Sequence, residues 1–314
     1  IAADLSHMVS QLDEPLADIA PINVLYISRL AREQGINVLL SGAGSDDLFA
    51  GYRRHSALMI ERLWDWLPQP LLEGLEHLTQ RLNNRQTQVR RLAKLFSGAS
   101  LKGDERLVNY FRWSDRRDLQ KLYTPAFQAS VAKARAEDPM LDYLAEIPCK
   151  TDRLERLLAL EQRFFLTDHN LIYTDKMSMA AGVEVRVPFL DLDLVNFAAQ
   201  IPTRFKQRAF QGKWVLKKAM EPYLPREVIY RPKSGFGAPL RQWLRVELRD
   251  WLLEILSKKR LENRGLFNST AVHRLICANS EGLTDASYTL LSLACIELWC
   301  QHFIDNNSTP VSIP

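Results

Sequence analysis

The sequence predicts a mostly helical body that holds a small piece of parallel sheet, and three observations predict it. Apolar residues recur at helical spacing along most of the chain. One short, almost unbroken apolar run, Ile36, Asn37, Val38, Leu39 and Leu40, ends in Ser-Gly and is the best strand candidate. Three polar, glycine-bearing segments interrupt the helical pattern and collect the residues that could carry chemistry.

Taken in order, Ile22, Tyr26 and Leu30 recur at four-residue spacing, and Gly35 reads as the stop of that helix. The run 36–40 is expected to be a parallel strand buried on both faces. Residues 56–134 read as several short helices, with Pro68 and Pro70 separating two of them. Thr124 followed by Pro125 has the pattern of an N-cap and a first helical position. Thr151 is expected to cap a long helix with Leu154, Leu157, Leu158 and Phe165 on its inner face. After Pro239, the residues Leu240, Trp243, Leu244, Leu248, Trp251, Leu252, Ile255 and Leu256 fit one 3.6-residue period. The most apolar stretch, 286–304, carries Glu297, Gln301 and His302 and reads as a buried core helix, not a membrane span. No internal repeat and no low-complexity linker is present.

Composition narrows the class. The chain has 314 residues, 46% hydrophobic and 25% charged, which is ordinary for a globular protein with a sizeable core. A net charge of +4, from 41 basic and 37 acidic residues, is too balanced to imply nucleic acid. The basic group Arg85, Arg90, Arg91 and Lys94 has helical spacing and reads as a solvated helix face. Cys149, Cys277, Cys295 and Cys300 form no CxxC and no metal-ligand spacing with histidine, so reduced thiols and a cytoplasmic setting are expected. The first residues lack the charge and apolar core of a signal peptide. They also lack an initiating Met, so the chain is expected to be a trimmed piece.

The first polar segment is Ser41, Gly42, Ala43, Gly44, Ser45, Asp46 and Asp47, immediately after the strand candidate. Ligands of α/β sheets gather at the carboxyl ends of strands. Glycines let the backbone approach a ligand, and two aspartates offer hard oxygen ligands suited to Mg²⁺. The same residues read equally well as a strand-to-helix turn with acids at the helix start. The second segment, 175–191, interleaves Asp175, Lys176, Glu184, Arg186 and Asp191 with apolar residues, which reads first as a structural network of buried, paired ions. The third, 231–239, carries Arg231, Lys233 and two glycines. It could close over a phosphate, but alone it reads first as an exposed basic loop.

Together, in order, these segments are far more specific. LLSGAGSDDLFAGYRRH, TDKMSMAAGVEVRVPFLD and GKWVLKKAMEPYLPREVIYRPKSGFGAPL resemble the synthetase domain of glutamine-dependent asparagine synthetases, and the upstream DEPLAD fits as well. The resemblance runs from about Asp13 past Trp243 and is loose over 56–150. It implies the α/β fold of the N-type ATP pyrophosphatases, a Rossmann-like parallel sheet with helices on both sides. It also implies a two-step reaction: ATP adenylates a carboxylate with release of pyrophosphate, and ammonia from glutamine then displaces AMP to leave an amide. By the same resemblance Ser41, Gly42, Lys176 and Arg186 contact ATP, Asp46 helps hold Mg²⁺ on the pyrophosphate, and Lys233 binds the departing phosphates. The implied partners are a small-molecule carboxylate, ATP and ammonia, with no nucleic acid and no membrane; a homodimer is compatible with it.

Three departures qualify the resemblance. The SGGxDS pyrophosphate loop is absent, since none of the Ser-Gly pairs at 41, 97 and 234 continues as Gly-x-Asp-Ser. The glutaminase half with its leading Cys is absent too, so residues 1–314 are expected to be the C-terminal portion of such a domain and inactive alone. Finally, Ala43 stands where many relatives carry an acid. That keeps open a non-aspartate acceptor such as a glycan uronic acid. A ring-closing relative of the β-lactam synthetase kind is less favoured, because those usually carry Tyr there. A non-catalytic module of the same fold is opposed by retention of Asp46, Lys176, Arg186 and Lys233.

Overall fold

The computed structural model describes residues 1–81, 87–232 and 237–305. Lys233, Arg85 and the side chains of Arg90 and Arg91 lie outside the described residues. The architecture is helical, with one parallel pair of strands, β1 (Val38–Leu40) and β2 (Glu184–Arg186). Their register sets Val38 opposite Glu184 and Leu40 opposite Arg186. A second, two-residue antiparallel pair joins Gln207–Arg208 to Gln211–Gly212.

The largest core gathers α1 (Ala2–Gln11), α2 (Ala20–Glu33), the helix Ile172–Ala180 and the C-terminal helices around Met8, Ile22, Leu25, Met177, Leu248 and Leu291. Helix Ser287–Cys300 is apolar most of the way round and sits in this core, as its composition predicts. No helix among the described residues is long and apolar enough to cross a membrane. A second core packs Leu58, Leu107, Leu144, Leu154, Leu157 and Leu160, and a third lies under the first polar segment at Leu48, Phe49 and Ala198. All four cysteines are free thiols, Cys149 and Cys277 exposed, Cys295 and Cys300 buried.

Local signals hold at several helix ends. Gly35 has φ +75 and the Ile36 amide donates to the Ala31 carbonyl at 2.9 Å, the six-to-one bond that closes a helix on a left-handed residue. Thr124 Oγ1 accepts from the Phe127 amide at 3.2 Å, with Pro125 in the first turn.

The structure corrects five expectations. β1 is not buried on both faces: Val38 is 41% and Leu40 74% exposed, because β2 is its one strand neighbour among the described residues. Leu30 points outward, since α2 buries Ile22, Leu25, Ser28 and Ala31 instead. The cap of helix Arg153–Leu160 is Asp152, not Thr151; the Asp152 carboxylate accepts from the Leu154 amide at 2.9 Å. The helix after Pro239 is two helices, Leu240–Arg245 and Arg249–Ile255, broken where Val246 leaves helical geometry (φ -123, ψ -76). The charges of segment 175–191 are paired but not buried: Lys176 meets Asp13 at 2.9 Å, and Arg186 meets Glu184 at 2.9 Å, on the surface.

Candidate functional site

β1 delivers the chain into the turn 41–44. The Ser41 amide still donates to the Arg186 carbonyl at 2.8 Å, so the ladder carries one residue past the strand and fixes where the turn starts. Ser41 Oγ accepts from the Ala43 amide at 3.2 Å, and Ser45 Oγ donates to the Gly42 carbonyl at 2.8 Å. Gly42 is exposed, and a side chain there would meet nothing within 4 Å, so its backbone faces open space. Gly44 is needed on two counts: its φ is +87, and a Cβ would lie 2.3 Å from the Leu190 side chain. The turn then enters α3 (Ser45–Leu48).

Asp46 is held from a distant part of the chain. Lys213 Nζ lies 3.0 Å from Asp46 Oδ1 and donates to Ser45 Oγ at 2.9 Å. Lys213 itself has φ 55, and its amide donates to the Phe49 carbonyl at 2.8 Å. Ala50, fully buried at φ 58, is its neighbour across this contact, where a Cβ on Gly212 would sit 2.1 Å from the Ala50 carbonyl oxygen. A Cβ on Gly51 would fall 1.8 Å from Asp46 Oδ1 and 2.3 Å from Lys213 Cε. Two non-glycine residues in left-handed geometry and two glycines without room for a side chain therefore converge on one carboxylate. Strain of this kind persists where the surroundings over-determine it, and it clusters at functional sites. Lys213 was missed as a site residue; its signal was the Gly212-Lys213 pair inside a motif quoted for resemblance alone.

Asp47 points the other way, into a buried polar cluster. Tyr52 Oη donates to Asp47 Oδ2 at 3.3 Å, Asn170 Nδ2 donates to Tyr52 Oη at 3.1 Å, and Asp47 Oδ1 is buried with no hydrogen-bond partner. Burial pushes the Asp47 carboxyl up to about 7, helped by the nearby charges of Glu161 and Asp46. Burial also works to raise Glu161, but hydrogen bonds from Arg54 and His55 outweigh it and hold that carboxyl below the usual glutamate value. Glu161 opens a π-helical stretch, Glu161–Leu171, that continues from Arg153–Leu160 and also presents Phe165 and Asn170 to this cluster.

A stability prediction follows from Asp47. Its folded pKa lies above the unfolded value of 3.8, so the native state prefers it protonated. Below about pH 4 both states are neutral and there is no cost; stability is lost as pH rises from there through about 7. Asp47→Asn should therefore stabilise the chain by roughly 1–3 kcal/mol at pH 8 and by much less at pH 4. Urea unfolding at the two pH values checks this; an equal effect at both would show that Asp47 is ionised throughout.

A cleft of about 3470 Å³ opens over the turn and is lined at this end by Ser41, Gly42, Ala43, Asp46 and Asp47. The side chains of Lys176 and Arg186 are not among its lining residues; the Arg186 contribution that reaches the turn is its carbonyl. No group of three or more His, Cys, Asp or Glu among the described residues could hold a metal by itself. Asp46 supplies one partly exposed carboxylate, and Mg²⁺ bound with a nucleotide commonly takes one or two carboxylates with the phosphates and water completing its shell. The turn fits that mode and not an all-protein cage.

The family model for asparagine synthase matches residues 1–301. The chain belongs to the asparagine synthase family. Its α/β ATP-pyrophosphatase class is consistent with the parallel β1–β2 pair inside a helical body. A putative glutamine-hydrolyzing asparagine synthetase of Mycobacterium tuberculosis is 30% identical over 309 residues, 98% of this chain and 46% of that protein. Glutamine-hydrolyzing asparagine synthetase 1 of Bacillus subtilis is 28% identical over 261 residues, 82% of this chain and 39% of that protein. Amidase chyE of Penicillium rubens is 22% identical over 290 residues, 88% of this chain and 43% of that protein. The chain thus spans about half the length of the curated relatives it matches.

Proposed function

We propose that residues 1–314 are the C-terminal portion of the synthetase domain of an ATP-dependent amide-forming ligase of the glutamine-hydrolysing asparagine synthetase type. The observation that carries this reading is the turn at the carboxyl end of β1, where Gly42 opens its backbone to the cleft beside an Asp46 carboxylate held by Lys213. A carboxylate oxygen of the acceptor attacks the α-phosphate of ATP and pyrophosphate leaves. Ammonia, supplied from glutamine, then attacks the acyl carbon, loses a proton and expels AMP. Ser41 and Gly42 lie against the phosphates, and Asp46 holds Mg²⁺, which when bound neutralises charge on the pyrophosphate. Lys233 meets the charge that develops on the leaving phosphates. Lys176 and Arg186 contact the nucleotide by exchanging their pairs with Asp13 and Glu184, and exposed pairs of that kind are weak enough to exchange.

A second reading concerns the acceptor. Ala43 lines the cleft and offers neither a base for the attacking amine nor a charge for an ammonium group. It leaves room for an acceptor larger than aspartate, such as a uronic acid. The test is a panel of carboxylates offered with ATP, Mg²⁺ and ammonia to the full-length protein, reading AMP, pyrophosphate and amide together. Equal yields of all three with some carboxylate are expected; ADP and phosphate as products would end the proposal. Ala43→Glu separates the acceptors. Activity with aspartate should hold or rise if aspartate is native, and activity with a larger native acceptor should fall by about tenfold or more.

A further inference from the structure

Tyr52 is gripped at both ends by one element. Its amide donates to His55 Nδ1 at 3.1 Å, and His55 Nε2 lies 3.2 Å from Glu161 Oε1. Its hydroxyl accepts from Asn170 Nδ2 at 3.1 Å and donates to Asp47 Oδ2 at 3.3 Å. Between these ends its ring stands edge-on to Phe165, with centroids 5.4 Å apart. Gln162 Nε2 reaches the Asp47 carbonyl at 3.4 Å. Glu161, Gln162, Phe165 and Asn170 all belong to the π-helical stretch Glu161–Leu171.

Only the π-helical geometry lets one stretch do this. An α-helix advances about 100° per residue, which would set position 170 about 180° round the axis from position 161. A π-helix closes its bonds one residue later and advances only about 80° per residue, so positions 161, 165 and 170 fall within about 50° of one another. Glu161, Phe165 and Asn170 therefore share one face, and that face meets Tyr52.

Tyr52 in turn bears on Asp46. The amide of the neighbouring Gly51 donates to the Asp46 carbonyl at 2.9 Å, and Gly51 has no room for a side chain beside Asp46 Oδ1. Asp47, which holds the Tyr52 hydroxyl, follows Asp46 within the single turn of α3. A helix of four residues cannot fix its own orientation, so the contacts around it decide where its side chains point.

We propose that Tyr52 is a positioning residue for the reaction at the turn: its hydroxyl, set by Asn170, orients α3 and so the Asp46 carboxylate. The proposal rests on the reading of this chain as an amide-forming ligase. The ring alone would serve a purely structural tyrosine, since Phe165 and the Arg54 guanidinium, 4.5 Å over it, hold it in place. The hydroxyl adds the one link that runs from the π-helical face through Tyr52 to α3.

Tyr52→Phe removes that link and keeps the ring. Two measurements on the full-length protein read it. By hydrogen–deuterium exchange, the amides of residues 44–50 should exchange about tenfold faster in Tyr52→Phe and in Asn170→Ala. The double variant should exchange no faster than the faster single one, because both substitutions cut the same chain of bonds. In steady-state kinetics, Tyr52→Phe should lower kcat for pyrophosphate release about tenfold and leave the ATP KM within about twofold. A merely structural tyrosine would lower the melting temperature and leave kcat of the folded enzyme unchanged. Unchanged exchange at 44–50, additive effects of the two substitutions, or an unchanged kcat overturns the proposal. Failure of the ligase reading shows separately: the wild-type protein would release no pyrophosphate with any carboxylate while the exchange effect persisted, which overturns the catalytic role and leaves the tether.

Discussion

If the proposed function holds, Asp46→Asn in the full-length protein is expected to lower the rate of ATP-dependent pyrophosphate release by roughly 10²–10³, the loss typical of removing one preorganised electrostatic group. The substitution keeps shape and volume. What it removes is the negative charge held 3.0 Å from Lys213 Nζ, at the point where four backbone constraints converge. A charge needed mainly as the phosphates depart acts on kcat more than on the ATP KM. Steady-state kinetics with pyrophosphate detection reads both. A kcat within a factor of about three of the wild type would reduce the Asp46–Lys213 pair to a structural tie between two loops.

The largest stability effect is expected at Arg54. Its guanidinium is bonded through Nε and Nη2 to both oxygens of Glu161, which is wholly buried, and it stacks 4.5 Å over Tyr52, 4.6 Å over Phe111 and 4.3 Å over Phe165. Arg54→Ala leaves the Glu161 carboxylate with His55 Nε2 at 3.2 Å as its remaining bond and opens a gap among three rings. Breaking one side of a buried pair costs about 3–5 kcal/mol. Denaturant unfolding should show a loss of that size. Adding Glu161→Gln should recover a large part of it, because the stranded charge is then gone. A loss below about 1 kcal/mol would mean that water reaches Glu161.

Both predictions rest on residues that the sequence disclosed unevenly. The turn 41–47 was legible because its glycines and aspartates follow an apolar run, and local chemistry of that kind is written in consecutive letters. The Thr124 cap and the Gly35 stop were legible for the same reason. Lys213 was not, because its partners Ser45 and Asp46 lie far away in sequence and no periodicity links them. The Arg54–Glu161 pair was hidden likewise, in a region where the resemblance is loose. The burial of the alternating charges at 175–191 was misjudged because apolar neighbours do not decide which side of a short strand faces solvent. With β2 paired to β1 alone among the described residues, Glu184 and Arg186 face outward. The apolar run 36–40 misled in the same way: composition can show that a strand suits burial, not that something covers it.

The central claim is that nucleotide phosphates bind at the Ser41–Asp46 end of the cleft, and acyl-phosphate labelling tests it most directly. An acyl-phosphate derivative of ATP transfers its acyl group to a lysine amine lying beside the phosphates. Mass spectrometry of the labelled protein then names the lysine. The account predicts labelling at Lys213 or Lys233, suppressed by excess ATP with Mg²⁺ and weakened by Asp46→Asn. ATP-protected labelling at Lys121, which lines the cleft from the segment 110–122, would contradict it.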